Sequence, residues 1–266
     1  MVARRRLDAE LVRRGLARSR EQAAELVTSG RVTVSGRPSV KPATAVDAAV
    51  GISVSGDAAD DYVSRGAFKL VGALDAFGPA VAVSGRRCLD AGASTGGFTD
   101  VLLRRGATQV VAVDVGYGQL DWRLRTDARV VVHDRTNVRS LTPDEIGGPV
   151  ELTVADLSFI SLRLVLPALS QCTGDTGDML VMVKPQFEVG RERLGSGGVV
   201  REQSLRAEAV EGVAAAALGL GWGVAGLTAS PLPGPSGNVE YFVWLRRGAP
   251  ALVPSHLQTA LDEGPR

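Results

Sequence analysis

Four ionisable residues stand where predicted strands or helices begin or end, and their types suit proton chemistry. Asp156 and Lys184 each follow an apolar run typical of a buried strand, Glu240 opens another such run, and Lys69 lies on a predicted helix. A lysine at the end of a buried strand is costly unless it is paired or functional. The carboxyl ends of parallel strands meet at one edge of a sheet. Asp156 and Lys184 are therefore predicted to lie together beside a ligand crevice, either as a proton-handling site or as ordinary ion pairs.

A glycine-rich segment, LDAGASTGGFT at 89–99, follows the first predicted strand of this region and is typical of a nucleotide-binding loop. It departs from the dinucleotide pattern Gly-x-Gly-x-x-Gly, because Ser94 stands at the second glycine. Asp90, just before the first glycine, would repel a pyrophosphate but suits the ammonium group of a methionine moiety. The charges therefore favour S-adenosylmethionine as the cofactor.

Two further acids follow the next predicted strands. Asp114 lies 22 residues beyond Gly92 and could accept both ribose hydroxyls, a role that dinucleotide enzymes share. Asp134, just past the third strand, could meet the adenine edge. The residues predicted to bind the cofactor are Asp90, Gly92, Ser94, Gly96, Gly97, Asp114, Asp134 and Asp156.

The elements that must position these residues alternate between strand and helix. Strands are predicted at 87–91, 109–114, 129–133, 150–155, 179–183, 223–229 and 239–245. Helices are predicted at 66–77, 97–105, 118–126, 161–171 and 202–219. This alternation predicts an α/β fold with a mostly parallel, seven-stranded sheet covered on both faces. The predicted domain organisation is a small domain at 1–59, a linker at 60–64, the α/β domain at 65–248 and a C-terminal tail at 249–266.

The first residues differ from the rest in charge. Residues 1–41 carry ten Lys/Arg against four acids, which leaves +6 on this segment and −5 on the remainder. Such an asymmetry is expected when one segment meets phosphate, although a solvated charged face would also explain it. Two short helices at 6–18 and 20–29, followed by small strands, predict a compact α+β unit.

The run RLDAELVRRGLARSREQAAELVTSGRVTVSGRPSVKPATAV resembles the RNA-binding domain named for ribosomal protein S4, over nearly that domain's whole length. The resemblance implies that the basic helix face and the turn lie along structured RNA. Such contacts would position the protein on phosphates without reading the RNA sequence. The residues assigned to RNA binding are Arg4, Arg6, Arg18, Arg20, Arg37, Lys41 and, in the larger domain, Arg65.

The remaining composition excludes several classes of protein. Cys88 and Cys172 stand far apart in apolar surroundings, which predicts neither a metal site nor a disulfide framework and favours the cytoplasm. The basic N-terminus has no apolar stretch behind it and is not a secretory signal. The uncharged stretch 212–239 is rich in alanine and glycine, so it predicts a buried helix and strand rather than a membrane span. No stable membrane partner is expected.

The segments DAGASTGGFTD, DVGYGQL, ADLSFISL, VKPQFEVG and SPLPGPSGNVEYF together resemble the TlyA family of ribosomal RNA cytidine-2′-O-methyltransferases, also called hemolysins. The order Lys69, Asp156, Lys184, Glu240 is similar to the Lys-Asp-Lys-Glu tetrad of the FtsJ-like 2′-O-methyltransferases. The resemblance implies a Rossmann-like class I methyltransferase domain and S-adenosylmethionine as cofactor. It also implies ribosomal RNA or ribosomal subunits as partners, with 16S and in some members 23S RNA modified. Susceptibility to peptide antibiotics such as capreomycin is then expected to change.

In this interpretation Lys184 takes the proton of the ribose 2′-hydroxyl, or the tetrad mainly orients that hydroxyl. Some members of the family carry Arg-x-Trp-Val where this chain has Asp60-Asp61-Tyr62-Val63, so a role for that tetrapeptide is in doubt here. Two other functions compete: a membrane-active hemolysin, and an RNA-binding adaptor without catalysis. The sequence does not give the oligomeric state.

Overall fold

The computed structural model describes residues 4–17, 19–39, 41–47, 49–55, 62–234 and 236–265. Contacts divide the chain into two compact units, 1–61 and 62–266, and this division falls within the segment 60–64. Arg18, one of the residues assigned to RNA, lies outside the described residues.

The first unit is a small α+β domain. Its elements are β1 (Arg5–Arg6), α1 (Leu7–Arg13), α2 (Arg20–Thr28), β2 (Val32–Val34), β3 (Arg37–Pro38), β4 (Ala45–Val46) and β5 (Ile52–Val54). β1 pairs with β4, and β2 lies between β3 and β5 in a second sheet. The first helix is shorter than the predicted 6–18: it ends at Arg13, before Gly15, and leaves Leu16 37% exposed. Leu7 and Leu11 are fully buried and anchor the small core.

The second unit alternates helices and strands. Its helices are α3 (Ala67–Phe77), α4 (Gly97–Arg104), α5 (Trp122–Arg125), α6 (Leu162–Cys172), α7 (Pro185–Glu188), α8 (Gln203–Gly219) and α9 (Pro254–Glu263). Its strands are β6 (Arg87–Ala91), β7 (Gln109–Val113), β8 (Val130–His133), β9 (Val150–Ala155), β10 (Thr173–Val183), β11 (Trp222–Ala229) and β12 (Tyr241–Arg247).

These seven strands form one sheet in the order β11-β12-β10-β9-β6-β7-β8. The pairs from β10 to β8 are parallel, whereas β12 runs antiparallel to both of its neighbours. The prediction that a small α+β domain is followed along the chain by an α/β domain with a mostly parallel, seven-stranded sheet is confirmed. The antiparallel strand matters for the site, because it brings the start of β12 beside the end of β10.

Alternation along the strands sorts side chains to the two faces of the sheet. On one face, Met182 and Phe242 pack with Leu70 of α3 and Leu102 of α4. On the other face, Val181 and its neighbours pack with residues of α6, α8 and α9. Both faces are thus covered, as a parallel sheet requires.

The largest differences from prediction in this unit are at β10, at α5 and in the C-terminal tail. β10 begins at Thr173, six residues earlier than predicted, with a register shift against β9 between Thr173 and Asp178. α5 spans only Trp122–Arg125, because Asp121 caps it and the preceding glycine-containing turn stays non-helical. The predicted tail contains α9, whose Leu257 and Leu261 are buried in the core.

The apolar stretch after residue 212 divides between α8 and β11, as predicted. No helix within the described ranges is long and apolar enough to cross a membrane.

Candidate active site

The register of β10 and β12 places two of the four tetrad residues side by side. Val183 pairs with Tyr241, so Lys184, which follows β10, lies next to Glu240, which precedes β12. Side chains alternate along a strand, so both point to the face that carries Met182 and Phe242. This is the face covered by α3, the helix that carries Lys69.

Lys69 and Glu240 form a buried ion pair. Lys69 Nζ lies 2.6 Å from Glu240 Oε2, and the Glu240 side chain has no exposed surface. The other carboxylate oxygen, Oε1, is buried without a hydrogen-bond partner in the described part of the chain. A Cβ on Gly234 would stand 2.6 Å from that oxygen, so the loop before β12 packs directly on Glu240. The sequence named both charged residues but not the glycine.

Lys184 and Asp156 form the second pair, at the ends of the neighbouring strands β10 and β9. Lys184 Nζ lies 2.6 Å from Asp156 Oδ1 and donates a hydrogen bond of 3.0 Å to Ser158 Oγ. The Asp156 side chain is 22% exposed, in contrast to Glu240. Sequence reasoning missed Ser158, although its position two residues after Asp156 at a strand end was a usable signal.

The glycine-rich loop runs against the end of β9. Gly92 has a φ of +89°, a region that favours glycine, and a Cβ there would lie 2.7 Å from the backbone oxygen of Asp156. A larger residue would therefore push the loop away from Asp156. This close approach joins the predicted cofactor loop to the tetrad.

Gly96 and Gly97 have a packing role that the sequence did not suggest. A Cβ on Gly96 would overlap Leu124 of α5, and one on Gly97 would overlap Ser64 Oγ and approach the backbone nitrogen of Ala67. These two glycines therefore allow α4 to pack closely against its neighbours.

The Asp114 side chain accepts hydrogen bonds from backbone N–H groups of the glycine-rich loop and of the residues that follow β7. Its Oδ2 accepts a hydrogen bond of 2.8 Å from the Ser94 N–H, and its Oδ1 accepts one of 2.7 Å from Gly116. Ser94 has a φ of +48°, which is uncommon for a residue with a side chain. A carboxylate has about four acceptor positions, so these two bonds leave room for ribose hydroxyls.

Asp134 is bound to the segment that follows β7. Its Oδ2 accepts hydrogen bonds from Arg125 at 2.9 Å and from the Gly118 N–H at 3.3 Å. The hydrogen bond from Arg125 is the main reason that the pKa of Asp134 lies below its ordinary value. The side chain that the sequence assigned to adenine thus binds both ends of the segment 118–125.

Asp90 is the most deeply buried acid of the crevice. Thr99 of α4, also fully buried, donates a hydrogen bond of 2.6 Å from its hydroxyl to Asp90 Oδ2. Oδ1 is buried without a partner among the described residues. Burial raises the pKa of Asp90 to about 7, with smaller contributions from Asp156 and Asp114, while the bonds from Thr99 act in the opposite direction. Thr99 was not identified from the sequence.

An exposed aromatic residue stands beside the Lys184 pair. Phe159, next to Ser158, is 91% exposed and has a φ of +64°, an outlier for a bulky residue. Its ring lies 5.3 Å from that of Phe187, which follows Lys184 in α7. An aromatic residue held in this way at the rim of a polar site can stack on a planar group.

The basic residues of the first unit are mostly exposed but not all unpaired. Arg6 and Arg20 both contact the buried Asp8, at 2.8 and 3.2 Å, and their side chains remain 53% and 61% exposed. Arg4 lies 3.5 Å from Asp47. Arg37, Lys41 and, in the second unit, Arg65 are exposed. Asp8 therefore orients two arginines that still present hydrogen-bond donors to solvent.

Known proteins match both units of the chain. The FtsJ-like methyltransferase family matches residues 62–247, and the S4 domain family matches residues 5–49. Over 100% of both sequences, the chain is 60% identical to the 16S/23S rRNA (cytidine-2′-O)-methyltransferase TlyA of Mycobacterium tuberculosis (strain ATCC 25618 / H37Rv). It is 34% identical to Hemolysin A of Brachyspira hyodysenteriae, over 89% of this chain and 97% of that protein.

A solved structure from Streptococcus thermophilus, described there as a candidate hemolysin, is 39% identical and superposes with a TM-score of 0.76. That match covers 99% of this chain and 96% of the other. The resemblance that the sequence motifs indicated is thereby confirmed over both units. The chain belongs to the TlyA family of FtsJ-like methyltransferases, which carry an S4 domain before the methyltransferase domain.

Proposed function

We propose that this protein transfers the methyl group of S-adenosylmethionine to the 2′-hydroxyl of a cytidine ribose in ribosomal RNA. One observation carries the proposal: the two lysine–carboxylate pairs, Lys69–Glu240 and Lys184–Asp156, gather at the edge of the sheet where the glycine-rich loop begins. The Mycobacterium tuberculosis relative is named for 16S and 23S RNA. We extend that substrate to this chain, in the cytoplasm, with a resulting change in susceptibility to ribosome-targeting peptide antibiotics such as capreomycin.

The residues of the crevice fit S-adenosylmethionine. Asp90 Oδ1 is a buried acceptor without a partner among the described residues, and an ammonium group would supply the missing hydrogen bond. Asp114 retains acceptor positions for ribose hydroxyls. We assign cofactor binding to these two acids together with Gly92, Ser94, Gly96, Gly97, Asp134 and Asp156. The bound cofactor supplies an electrophilic methyl group on a positively charged sulfur.

The protein's own part in the reaction is to hold the hydroxyl and remove its proton. In our proposal Lys184 receives that proton, and Asp156 and Ser158 hold the lysine nitrogen in place through the contacts of 2.6 and 3.0 Å. To receive the proton Lys184 must be the neutral amine, whose lone pair then faces the ribose hydroxyl while its two N–H groups remain for Ser158 and Asp156. If Lys184 instead stays protonated throughout, it orients the hydroxyl and stabilises the developing negative charge.

Lys69 and Glu240 complete the proposed site from the side of α3. Their buried pair lies next to Lys184 in the strand register, so it fixes the wall against which the ribose would rest. Phe159 is positioned to stack on the target base or on a neighbouring one, since base–aromatic stacking tolerates every base. The exposed basic residues of the first unit, with Arg65, would bind phosphates.

The test is a map of 2′-O-methylation in ribosomal RNA from cells with and without the protein, together with methyl transfer to purified ribosomal subunits by the wild type and Lys184→Ala. We expect cytidine positions that are methylated only with the active protein. Unchanged maps, with no transfer in vitro, would contradict the proposal. Binding to ribosomal RNA without transfer by the wild type would indicate the adaptor instead. Lysis of red blood cells without binding of S-adenosylmethionine would indicate the hemolysin.

A further inference from the structure

Thr99 and Asp90 form an isolated polar contact inside the apolar layer between the sheet and α4. Both residues have no exposed surface, and the Thr99 hydroxyl donates a hydrogen bond of 2.6 Å to Asp90 Oδ2. Phe98 and Val101, on the same helix, are also buried. A polar pair in such surroundings is costly unless each member is bound, yet Asp90 Oδ1 has no partner within the described residues.

The geometry fixes which carboxylate oxygen remains available. Because Thr99 occupies Oδ2, the carboxylate cannot turn about its terminal bond without breaking the 2.6 Å hydrogen bond. Oδ1 is then the oxygen left for a ligand. Asp90 lies in β6 one residue before Ala91, which ends the strand, so the unpartnered oxygen belongs to the start of the glycine-rich loop.

We propose that Thr99 is a positioning residue for the cofactor: its hydroxyl favours the charged form of the Asp90 carboxylate and leaves Oδ1 for the ammonium group of S-adenosylmethionine. This inference rests on the function proposed above and adds to it a residue with a defined task. Thr99 would act on cofactor binding alone and not on the methyl-transfer step.

The charged groups around Asp90 come from each element packed against β6. Asp156, which follows β9, pairs with Lys184, and Asp114, which follows β7, accepts hydrogen bonds from two backbone N–H groups. Asp156 and Asp114 disfavour a further negative charge at Asp90, as burial does, and the hydroxyl of Thr99 opposes them.

The charged residues of the two covering helices are engaged elsewhere. Asp100 of α4 pairs with Arg104, Lys69 of α3 pairs with Glu240, and Asp75 of α3 pairs with Arg105. Loss of the Thr99 hydroxyl therefore shifts the balance at Asp90 toward the neutral acid, which attracts an ammonium group poorly.

The expected effect depends on pH in a way that simple loosening of the fold would not. Suppose that removal of the hydroxyl raises the pKa of Asp90 by about one unit. The ionised fraction would then fall about nine-fold at pH 6, about five-fold at pH 7 and less than about two-fold at pH 8.5. Since the amine of the ligand also titrates in this range, the useful quantity is the ratio of variant to wild-type affinity at each pH.

The experiment measures binding of S-adenosylhomocysteine, which carries the same amine, to the full chain by calorimetry at pH 6, 7 and 8.5. The variants are Thr99→Val, which keeps the shape but removes the hydroxyl, and Thr99→Ser, which keeps the hydroxyl. Thr153→Val is the matched control, because Thr153 is also buried and its hydroxyl bonds that of Thr173 at 2.7 Å on the opposite face of the sheet. Thr99→Ala replaces Thr99→Val if the latter does not fold.

We expect the affinity deficit of Thr99→Val to shrink from pH 6 to pH 8.5, with Thr99→Ser and Thr153→Val within about two-fold of the wild type. The maximal rate of methyl transfer at saturating cofactor should stay within about two-fold. A deficit that is equal at all three pH values, or that appears also in Thr99→Ser, would overturn the inference. If the wild type itself does not bind the ligand, the proposed function fails first.

Discussion

The two lysine–carboxylate pairs of the site look alike in distance but differ in their surroundings. Both have an N···O separation of 2.6 Å. Glu240 is completely enclosed and lies under the loop that contains Gly234, whereas Asp156 keeps 22% of its side chain exposed beside the crevice. Lys184 has an additional partner in Ser158, an exposed neighbour of Phe159. We therefore propose that the Lys69–Glu240 pair contributes more to stability and the Lys184–Asp156 pair more to the reaction.

Replacement of Lys184 should give the largest effect and should fall on activity. For Lys184→Ala we expect methyl transfer to drop about 10²–10⁴-fold, the range for loss of a general acid–base group. Stability should change little, because Asp156 can be solvated once its partner is gone. Transfer of labelled methyl groups to ribosomal subunits and thermal unfolding measure the two quantities. If Lys184→Ala were much less stable but transferred methyl groups at nearly the wild-type rate, the Lys184–Asp156 pair would serve the fold and not the reaction.

Replacement of Glu240 should fall on stability as well. Glu240→Ala leaves the Lys69 ammonium buried without its carboxylate, which typically costs about 3–5 kcal/mol in the free energy of unfolding. Asp156→Ala is the matched variant, and we expect it to cost less, because Lys184 keeps its hydrogen bond of 3.0 Å to Ser158 Oγ when the carboxylate is gone. Urea unfolding of the two variants checks the difference. If both variants lost the same free energy of unfolding, the two pairs would contribute equally to stability.

Asp90 extends the comparison of the two carboxylates, because it is fully buried like Glu240 but has no lysine partner among the described residues. Folding raises its pKa to about 7, so the folded protein binds this proton more tightly than the unfolded chain. Its contribution to stability is therefore favourable in acid, falls as pH rises from about 4 to about 7, and is a penalty above that. Asp90→Asn should raise the free energy of unfolding at pH 8, by up to about 4 kcal/mol, and weaken cofactor binding.

Urea unfolding at pH 8 and pH 5 tests the Asp90 prediction. The stabilisation by Asp90→Asn should be smaller at pH 5 than at pH 8. If Asp90→Asn were less stable than the wild type at pH 8, burial of the ionised Asp90 carboxylate would not destabilise the fold, and the prediction would be wrong.

Replacement of Phe159, the exposed aromatic residue beside the Lys184–Asp156 pair, should give the smallest effect. Phe159→Ala should weaken RNA binding by about 1–3 kcal/mol, the range for loss of one base–aromatic stack, with unchanged affinity for the cofactor. Phe159→Tyr keeps the ring and should retain most of the affinity. The Michaelis constant for ribosomal subunits is the measurement. If Phe159→Ala lowers only the unfolding temperature, the residue serves the fold and not the substrate.

The sequence predicted the positions of the charged residues better than their partners. Strand ends are marked by apolar runs, so the amino-acid pattern alone places Asp156 and Lys184 at one edge of the sheet. Glu240 joins them because β12 runs antiparallel to β10, which the pattern did not predict. Which lysine meets which acid depends on how α3 packs over the sheet, and that packing joins Lys69 to a residue 171 positions away. Thr99 and Ser158 were missed for the same reason, since hydroxyl groups gain their role only from what stands next to them.

The fold was predicted where periodicity was strong and not where glycine obscured it. β6 and β9 have their predicted bounds, whereas the first residues of β10, which include Gly174 and Gly177, resembled a loop. Gly177 packs against the backbone of Glu151 in the neighbouring strand, which accounts for a glycine at a position inside a strand.

The last helix bears on how the enzyme can be shortened. The methyltransferase family ends its match at residue 247, yet α9 buries Leu257, Ala260 and Leu261, and the Val224 N–H of β11 donates a hydrogen bond to Pro250. A fragment that ends at residue 247 would expose apolar surface of β11 and α8 and would be prone to aggregate. Affinity tags and fusion partners are therefore best attached beyond the helix.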